Sequence, residues 1–252
     1  MIRGLYAAAT GMVAIEDRQA VIANNIANAA TVGYRRQEAV QKGFRDVFSG
    51  KLVSATRFNQ SKAPGGGVKI VETFSNTEAG PIVTTDDPLN VALRGPGFLV
   101  VDTPQGERFT RAGSFIVNGD GQLATPDGYK VQSSGGGPIE LQAGNAVITE
   151  EGSIKVNDVT AGQLRLVEFE DPHMLTREGQ NMYKASPEAT QRSADATGTT
   201  VVGKALEMSN VNLPKEMVSM ILALRAYAAN QKVITAADET MSKIIEQVGM
   251  PT

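Results

Sequence analysis

The 252-residue sequence contains no cysteine and no tryptophan, and it has a single histidine. The absence of cysteine excludes disulfide frameworks, thiolate zinc sites and cysteine nucleophiles. His173 lies between Pro172 and Met174, and without a second imidazole or a serine motif it does not support a catalytic triad. We therefore predict no catalytic site, no metal site and no cofactor.

Long apolar runs and an excess of charge are also missing. No stretch approaches the roughly 18 apolar residues of a transmembrane helix, and the N-terminus lacks the apolar core of a secretory signal. We expect neither membrane insertion nor a cleaved signal peptide. The 24 basic and 27 acidic residues give a net charge of −3, which argues against nucleic acid as a partner. With 41% hydrophobic residues, the composition is that of a folded globular protein.

Apolar residues recur in steps of three and four at both ends of the chain, which predicts one long helix at each end. The first helix is predicted over about residues 2–29, with a seam through Leu5, Ala8, Met12, Ile15, Gln19, Ile22, Ile26 and Ala29. The second is predicted to begin after Asn212, a favourable N-cap, with Pro214 and Glu216 in its first turn. Its seam passes through Met217, Met220, Leu224, Tyr227, Gln231, Ile234, Asp238, Met241, Ile245 and Val248.

The middle of the chain has a different pattern. Short β-prone runs, such as VKIVETF, FLVVD, SFIVN, AVITE and QLRLVEF, alternate with turn sequences such as NGDGQ, which predicts a tight hairpin. The predicted fold class is α+β, with long N- and C-terminal helices around a central antiparallel all-β domain. The predicted boundaries are an N-terminal assembly helix over 1–34, an extended or hinge segment over 35–67, a β domain over 68–206 and a C-terminal assembly helix over 207–252.

The two predicted helices are expected to pack on each other and on copies of themselves in a coiled-coil-like layer. Both seams are narrow and have a period near seven residues, as coiled-coil seams do. The alternative is that both helices pack on the β domain. The polar seam residues Gln19, Gln231 and Asp238 either hydrogen-bond across subunits or rotate towards solvent as the helix drifts off the seven-residue repeat; both interpretations stay open.

Several polar residues and glycines follow the first helix. Asn24, Asn25 and Asn28 form either a subunit contact or a plain helix stop. Gly33 is expected to satisfy a backbone requirement. Arg35 and Arg36 either contact acidic groups on a neighbouring chain or lie exposed in solvent. Gly95-Pro96-Gly97 superficially matches a phosphate-binding turn, but the proline interrupts it and no helix follows.

Three segments in this order resemble the rod and hook proteins of the bacterial flagellum. They are ANNIANAATVGYRR (23–36), the two runs GPGFLVVD and FTRAGSFIVNGDGQLATPDGYKVQ (within 95–132), and SNVNLPKEMVSMILALRAYAANQKVI (209–234). Within the family, the length is similar to that of rod proteins. The short stretch between residues 43 and 67 favours the proximal over the distal rod type. Tyr227 is followed by alanine, where the family usually has an acidic residue, which puts one subunit contact in doubt.

The resemblance implies a structural, non-enzymatic subunit of the basal-body rod that spans the periplasm. Its terminal helices would form the inner layer of a helical tube around the export channel and transmit torque, with the β domain outside. The implied partners are copies of itself, other rod proteins and the flagellar type III export apparatus, with no nucleic acid and no small-molecule substrate. The expected assembly interface comprises Leu5, Met12, Ile15, Ile22, Asn24, Asn25, Ile26, Asn28, Met217, Met220, Leu224, Arg225, Tyr227, Asn230, Ile234 and Met241.

A second hypothesis is a carbohydrate- or peptidoglycan-binding or cleaving module, in which the β domain holds the site and the helices only oligomerise it. The adjacent carboxylates Asp86-Asp87 and Glu150-Glu151 could in principle supply a hydrolase pair, although turn and surface placement is favoured. An exposed acidic cleft in the β domain would favour this hypothesis.

Overall fold

The computed structural model describes residues 2–43, 68–141, 146–157, 159–179, 181–193 and 198–248. Within these ranges, two long helices lie near the ends of the chain: α1 (Ile2–Ala27) and α2 (Leu213–Val248). A short 3-10 helix covers Pro172–Met174. The predicted terminal helices are therefore confirmed. Of the predicted extended or hinge segment over 35–67, residues 44–67 lie outside the described residues.

No helix in the described ranges combines the length and the apolar character that crossing a membrane requires.

Short strands make up most of the remaining described chain. In order they are β1 (Gln37–Gly43), β2 (Val68–Ser75), β3 (Ile82–Thr84), β4 (Val91–Arg94), β5 (Phe98–Thr103), β6 (Gly106–Thr110), β7 (Ile116–Val117), β8 (Leu123–Ala124), β9 (Lys130–Val131), β10 (Ala146–Ile148), β11 (Ser153–Val156), β12 (Val159–Gln163), β13 (Leu166–Phe169), β14 (Leu175–Arg177), β15 (Met182–Ala185), β16 (Gln191–Ser193), β17 (Thr200–Gly203) and β18 (Ala205–Glu207).

The chain divides into two compact units. The helical unit comprises Met1–Ala27, Gln37–Phe74 and Asn212–Thr252, and the β unit comprises Asn28–Arg36 and Ser75–Val211. In the helical unit, α1 packs along α2 and also contacts β1, which pairs with β2.

The helix α2 begins directly after the N-cap residue that the sequence predicted. The backbone N–H of Lys215 donates to Asn212 Oδ1 over 3.1 Å, so Asn212 caps the helix. Pro214 follows in the first turn, where its missing N–H is not needed. The predicted N-cap is confirmed.

In the β unit, the largest sheet has the strand order β14-β15-β6-β5-β9-β8-β7, with β13 pairing with both β5 and β16. Smaller sheets are β10-β11-β12, β17-β4 and β18-β3. The register is antiparallel for every one of these β-unit pairs. The predicted central antiparallel domain, and with it the α+β class, is confirmed.

The alternation of side chains along β5 explains how this unit buries two clusters. Leu99 and Val101 pack in the larger apolar cluster, whereas Phe98 and Val100 pack in a second, aromatic cluster. Successive side chains of a strand point to opposite faces of the sheet, so a continuous apolar run can fill both sides. In the aromatic cluster, the ring of Phe98 lies edge-on to Phe169 with centroids 5.9 Å apart.

Two turns have the geometry that the sequence predicted. The NGDGQ segment joins β7 to β8, and Asn118 Oδ1 accepts from the backbone N–H groups of Asp120 and Gln122. Gly33 has φ +67°, and a Cβ on it would lie 2.4 Å from the backbone nitrogen of Ala112. The hairpin and the backbone role of Gly33 are both confirmed.

Candidate assembly site on the terminal helices

Small residues line the contact between α1 and α2. Ala8 and Ala14 of α1 and Ala223 of α2 are buried. Gly11 lies opposite Asn230, whose Nδ2 would be 3.2 Å from a Cβ at position 11. Because the distance between packed helices depends on the side chains at their contact, these residues allow a close approach.

The face of α2 that is covered within the chain follows a seven-residue repeat. Its buried and half-buried positions include Glu216, Met220, Ala223, Tyr227, Asn230, Ile234 and Ala237. Their alternating steps of four and three are those of a coiled-coil seam. Met220, Tyr227 and Ile234 belong to the predicted seam, whereas Met217 and Leu224 lie one position beyond the covered one and are exposed.

Large apolar side chains remain exposed on the rest of α2. The exposed fraction is 54% for Met217, 59% for Leu222 and 53% for Leu224. The further exposed apolar residues of this helix are Leu213, Val218, Ile221, Val233, Met241, Ile244 and Ile245. A helix that is apolar on more than one face has more apolar surface than one neighbouring helix can cover. An apolar surface therefore remains available along α2.

Asn25 connects the end of α1 to the first strand. Its Nδ2 donates to the backbone oxygen of Gln37, and the N–H of Gln37 donates to Asn25 Oδ1, each over 2.9 Å. The same Nδ2 lies 3.5 Å from Glu216 Oε2, and both side chains are buried. Asn24 is exposed and Asn28 is half-buried. Within the chain, Asn25 therefore fixes how the strand leaves the helix.

The remaining predicted interface residues divide between covered and exposed positions. Ile22 is buried, and Leu5, Met12, Ile15 and Ile26 are half-buried, whereas Arg225 and Met241 are exposed. Of the polar seam residues, Gln231 and Asp238 face solvent in the single chain. The Gln19 Nε2 is instead buried without a hydrogen-bond partner in the described part of the chain.

Of the two interpretations of Arg35, exposure to solvent is wrong, because Arg35 is buried against a carboxylate of its own chain; contact with a neighbouring chain stays a prediction. It is 4% exposed, and its Nη2 lies 2.7 Å from Oε1 of Glu207. The turn at Gly33 brings the segment against the backbone of Arg111 and Ala112, which carries Arg35 into the β unit. Burial is a tertiary effect that a pair of charged residues in the sequence does not reveal.

Three protein families match successive segments of the chain. "Flagella basal body rod protein" matches residues 5–35, "Flagellar hook protein FlgE/F/G D1 domain" matches 92–157, and "Flagellar basal body rod FlgEFG protein C-terminal" matches 202–247. The rod protein FlgG of Caulobacter vibrioides is 34% identical over 259 residues, which cover 95% of this chain and 97% of the relative. The chain belongs to the flagellar basal-body rod protein family.

Other members of the rod family match over a similar extent. FlgG of Bacillus subtilis is 33% identical and covers 97% of this chain and 98% of its own length. The flagellar hook-basal body complex protein FlhO of the same organism is 30% identical over 99% of both chains. Rod-family proteins are structural components of the basal body that assemble with one another, so the chain is a structural protein rather than an enzyme. The two terminal matches contain most of α1 and most of α2.

Proposed function

We propose that this chain is a structural subunit of the flagellar rod that joins its neighbours through α1 and α2. The assembled helices form a coiled-coil-like inner layer of a helical tube around the export channel, and the tube transmits torque across the periplasm. The observation that carries the proposal is the exposure of large apolar residues on α2, where α1 already covers the opposite seam.

Burial of these residues would stabilise an assembly. Fully burying one leucine or methionine side chain contributes about 1.5–3 kcal/mol relative to leaving it exposed. Met217, Leu222 and Leu224 are each more than half exposed, so a neighbouring chain that covered them would recover a large part of that free energy. The heptad spacing of the covered seam favours another helix as the neighbour.

The predicted interface residues then take two roles. Met220, Tyr227 and Ile234, with Ile22 on α1, hold the two helices of one chain together. Met217, Leu224, Arg225 and Met241 lie on the exposed surface of α2 and contact neighbouring subunits. The proposed partners are copies of this chain, other rod proteins and the flagellar type III export apparatus, which would deliver the subunits.

Two positions along the rod are supported by different observations. The short segment between residues 43 and 67 supports the proximal rod type, FlgF. The alignment with FlgG of B. subtilis has 263 positions, whereas this chain has 252 residues. Some residues of that relative therefore have no counterpart in this chain. The near-complete coverage of several FlgG proteins supports the distal type. Tomography of basal bodies that contain a tagged copy of this chain distinguishes the proximal from the distal end of the rod.

Two pockets that are lined by described residues of the β unit bear on the glycan-cleaving alternative. One pocket has Arg35 and Arg111 in its lining, and a second, of about 260 Å³, has Asp127 as its single acidic lining residue. A glycosidase site needs two carboxyl groups that flank the scissile bond. Neither pocket offers such a pair.

The decisive experiment replaces Leu224 with aspartate and compares it with Lys232→Asp. Both positions are exposed on α2, so both variants should unfold within about 0.5 kcal/mol of the wild type. Leu224→Asp should be lost from isolated basal bodies and abolish swimming, because it places an unpaired charge in an apolar contact. Lys232→Asp should assemble. Normal incorporation and motility of the Leu224→Asp chain would refute the proposed interface.

A further inference from the structure

A buried cluster of three charged residues lies in the β unit. Glu207, which is 1% exposed, accepts from Arg35 Nη2 over 2.7 Å and from the N–H of Gly80 over 2.9 Å through Oε1. Its Oε2 is 3.4 Å from Nη1 of Arg111. Arg111 is 3% exposed, donates through Nη2 to the backbone oxygen of Gly95 over 2.6 Å and lies 4.9 Å from the ring centroid of Phe98.

The cluster contains two arginines and one glutamate, so one positive charge is left without a counter-charge. Among the described residues, Glu207 is the one carboxylate in ion-pair contact with either arginine. Burial, and then the charge of Arg35, lower the pKa of Arg111 to about 10, although Glu207 acts in the opposite direction. A buried cation without a full counter-charge is costly, so a second anion would relieve the cluster.

Donors for such an anion are present. Nη1 of Arg35 and Nε of Arg111 are buried without a hydrogen-bond partner in the described ranges. Leaving a buried donor unsatisfied is costly, and more so when the group is charged. Native structures rarely leave such groups unpaired unless a ligand or an ordered water supplies the missing acceptor.

Both arginines line one small pocket, which has a volume of about 40 Å³. Since a cavity needs at least about 10–15 Å³ to admit one water molecule, this volume accommodates a group of about three heavy atoms. None of the described residues that line the pocket is acidic. Its other walls include the apolar side chains of Phe98 and Leu175 and the hydroxyl-bearing Tyr183.

We propose that this pocket binds the head group of an aliphatic carboxylate, whose three heavy atoms lie against Arg35 and Arg111 while the stem leaves the pocket beside the exposed Thr77. The planar guanidinium matches the two oxygens of a carboxylate. A tetrahedral oxyanion is larger and would direct some of its oxygens against apolar walls, where they lose hydration without gaining donors. The carboxylate comes either from a free small molecule or, given the proposed rod function, from an acidic side chain of a neighbouring subunit.

The test uses Thr77, an exposed residue that also lines the pocket. Thr77→Glu supplies a carboxylate from within the chain, and Thr77→Gln is the matched neutral control. The unfolding midpoints of the purified full-length wild type and both variants are measured in sodium propionate, sodium sulfate and sodium chloride at equal ionic strength. Because the variants differ by one charged group, general salt effects cancel in their comparison.

Propionate should raise the midpoint of the wild type and of Thr77→Gln above its value in chloride. The rise should be on the order of 3 °C for each tenfold increase in propionate beyond the dissociation constant. Thr77→Glu should unfold at a higher temperature than Thr77→Gln in chloride and should not respond specifically to propionate. Equal midpoints and equal responses of the two variants would overturn the proposal. If sulfate changed the difference in midpoint between the two variants as much as propionate does, the preference for carboxylate would be overturned.

Incorporation into basal bodies distinguishes the two possible sources of the carboxylate, a neighbouring subunit and a free small molecule. If a neighbour's acidic side chain occupies the pocket, Thr77→Glu chains should be excluded while Thr77→Gln chains are incorporated. If a free carboxylate occupies it, both variants should be incorporated. A wild-type chain that is absent from basal bodies would refute the rod function, while the propionate response of the purified chain would still report on the pocket.

Discussion

Gly11 of α1 lies directly opposite Asn230 of α2, and a Cβ at position 11 would stand 3.2 Å from Asn230 Nδ2. The glycine therefore provides a gap in one helix for the amide of the other. Asn230 occupies a position of the covered heptad seam, and a polar residue at such a position can fix the register of paired helices. The pair defines how far α1 is shifted along α2.

Gly11→Leu should destabilise the helix pair, and Gly4→Leu is its control. Within the described ranges, a Cβ at Gly4 has nothing within 4 Å, so leucine there should be neutral or slightly stabilising through its higher helix propensity. At position 11 the added side chain overpacks the contact, and the free energy of unfolding should fall by about 1–3 kcal/mol. Urea denaturation followed by circular dichroism measures both effects. Equal effects at positions 4 and 11 would show that the helices do not approach closely at Gly11.

Gly33→Ala should be far more damaging than Gly179→Ala. Both glycines have a positive φ, +67° and +60°. A Cβ at Gly33 would meet the backbone nitrogen of Ala112 at 2.4 Å, whereas one at Gly179 meets no described atom within 4 Å. Alanine at position 179 should cost about 1 kcal/mol for its conformation alone. At position 33 the loss should reach about 3 kcal/mol or more, because backbone must move. Similar denaturation midpoints for the two variants would contradict the close approach.

Gln19→Met should raise the free energy of unfolding of the isolated chain by about 1 kcal/mol, because it removes a buried amide nitrogen that has no hydrogen-bond partner among the described residues. Gln231→Met, at an exposed position, should change it by less than about 0.5 kcal/mol. Differential urea denaturation gives both values. A stabilised Gln19→Met chain that incorporates poorly into basal bodies would show that Gln19 bonds to a neighbouring subunit; unchanged stability would show that the amide is already satisfied.

Stability above pH 10 should depend on Tyr183. Burial raises the pKa of its phenol above the ordinary 10.0, against the opposing charges of Arg177 and Arg35. The folded state therefore holds the proton more tightly than the unfolded state, and this contribution is present below pH 10 and lost as the pH rises through the folded-state pKa. The difference in free energy of unfolding between the wild type and Tyr183→Phe should therefore shift against the wild type above pH 10. A difference that stays constant between pH 8.5 and 11 in urea denaturation would contradict this.

The sequence predicted best what depends on local chemistry. The N-cap at Asn212 and the turn at Asn118 use side chains that bond backbone groups a few residues away, so their roles can be recognised from spacing. The short β-prone runs separated by turn sequences likewise predicted an antiparallel β domain. The ion pair between Arg35 and Glu207 joins residues far apart in the sequence, and no local pattern marks it.

The covered seam of α2 was predicted only in part for a related reason. The pattern of large apolar residues selects Met217 and Leu224, but the side facing α1 carries Glu216 and Ala223 instead. Small residues on both helices define that contact, and hydrophobic periodicity gives them little weight. The largest apolar residues of α2 therefore mark the exposed side of the helix pair.

The pairing of α1 with α2 has a consequence for synthesis, because the whole β unit lies between the two helices in the sequence. A ribosome releases α1 long before α2 has been translated, so the pair can form only when the polypeptide is almost finished. A product truncated within the β unit keeps α1 but has neither its companion helix nor the apolar side chains of α2. Incomplete molecules therefore lack the exposed apolar residues of α2 that the proposed assembly contact uses.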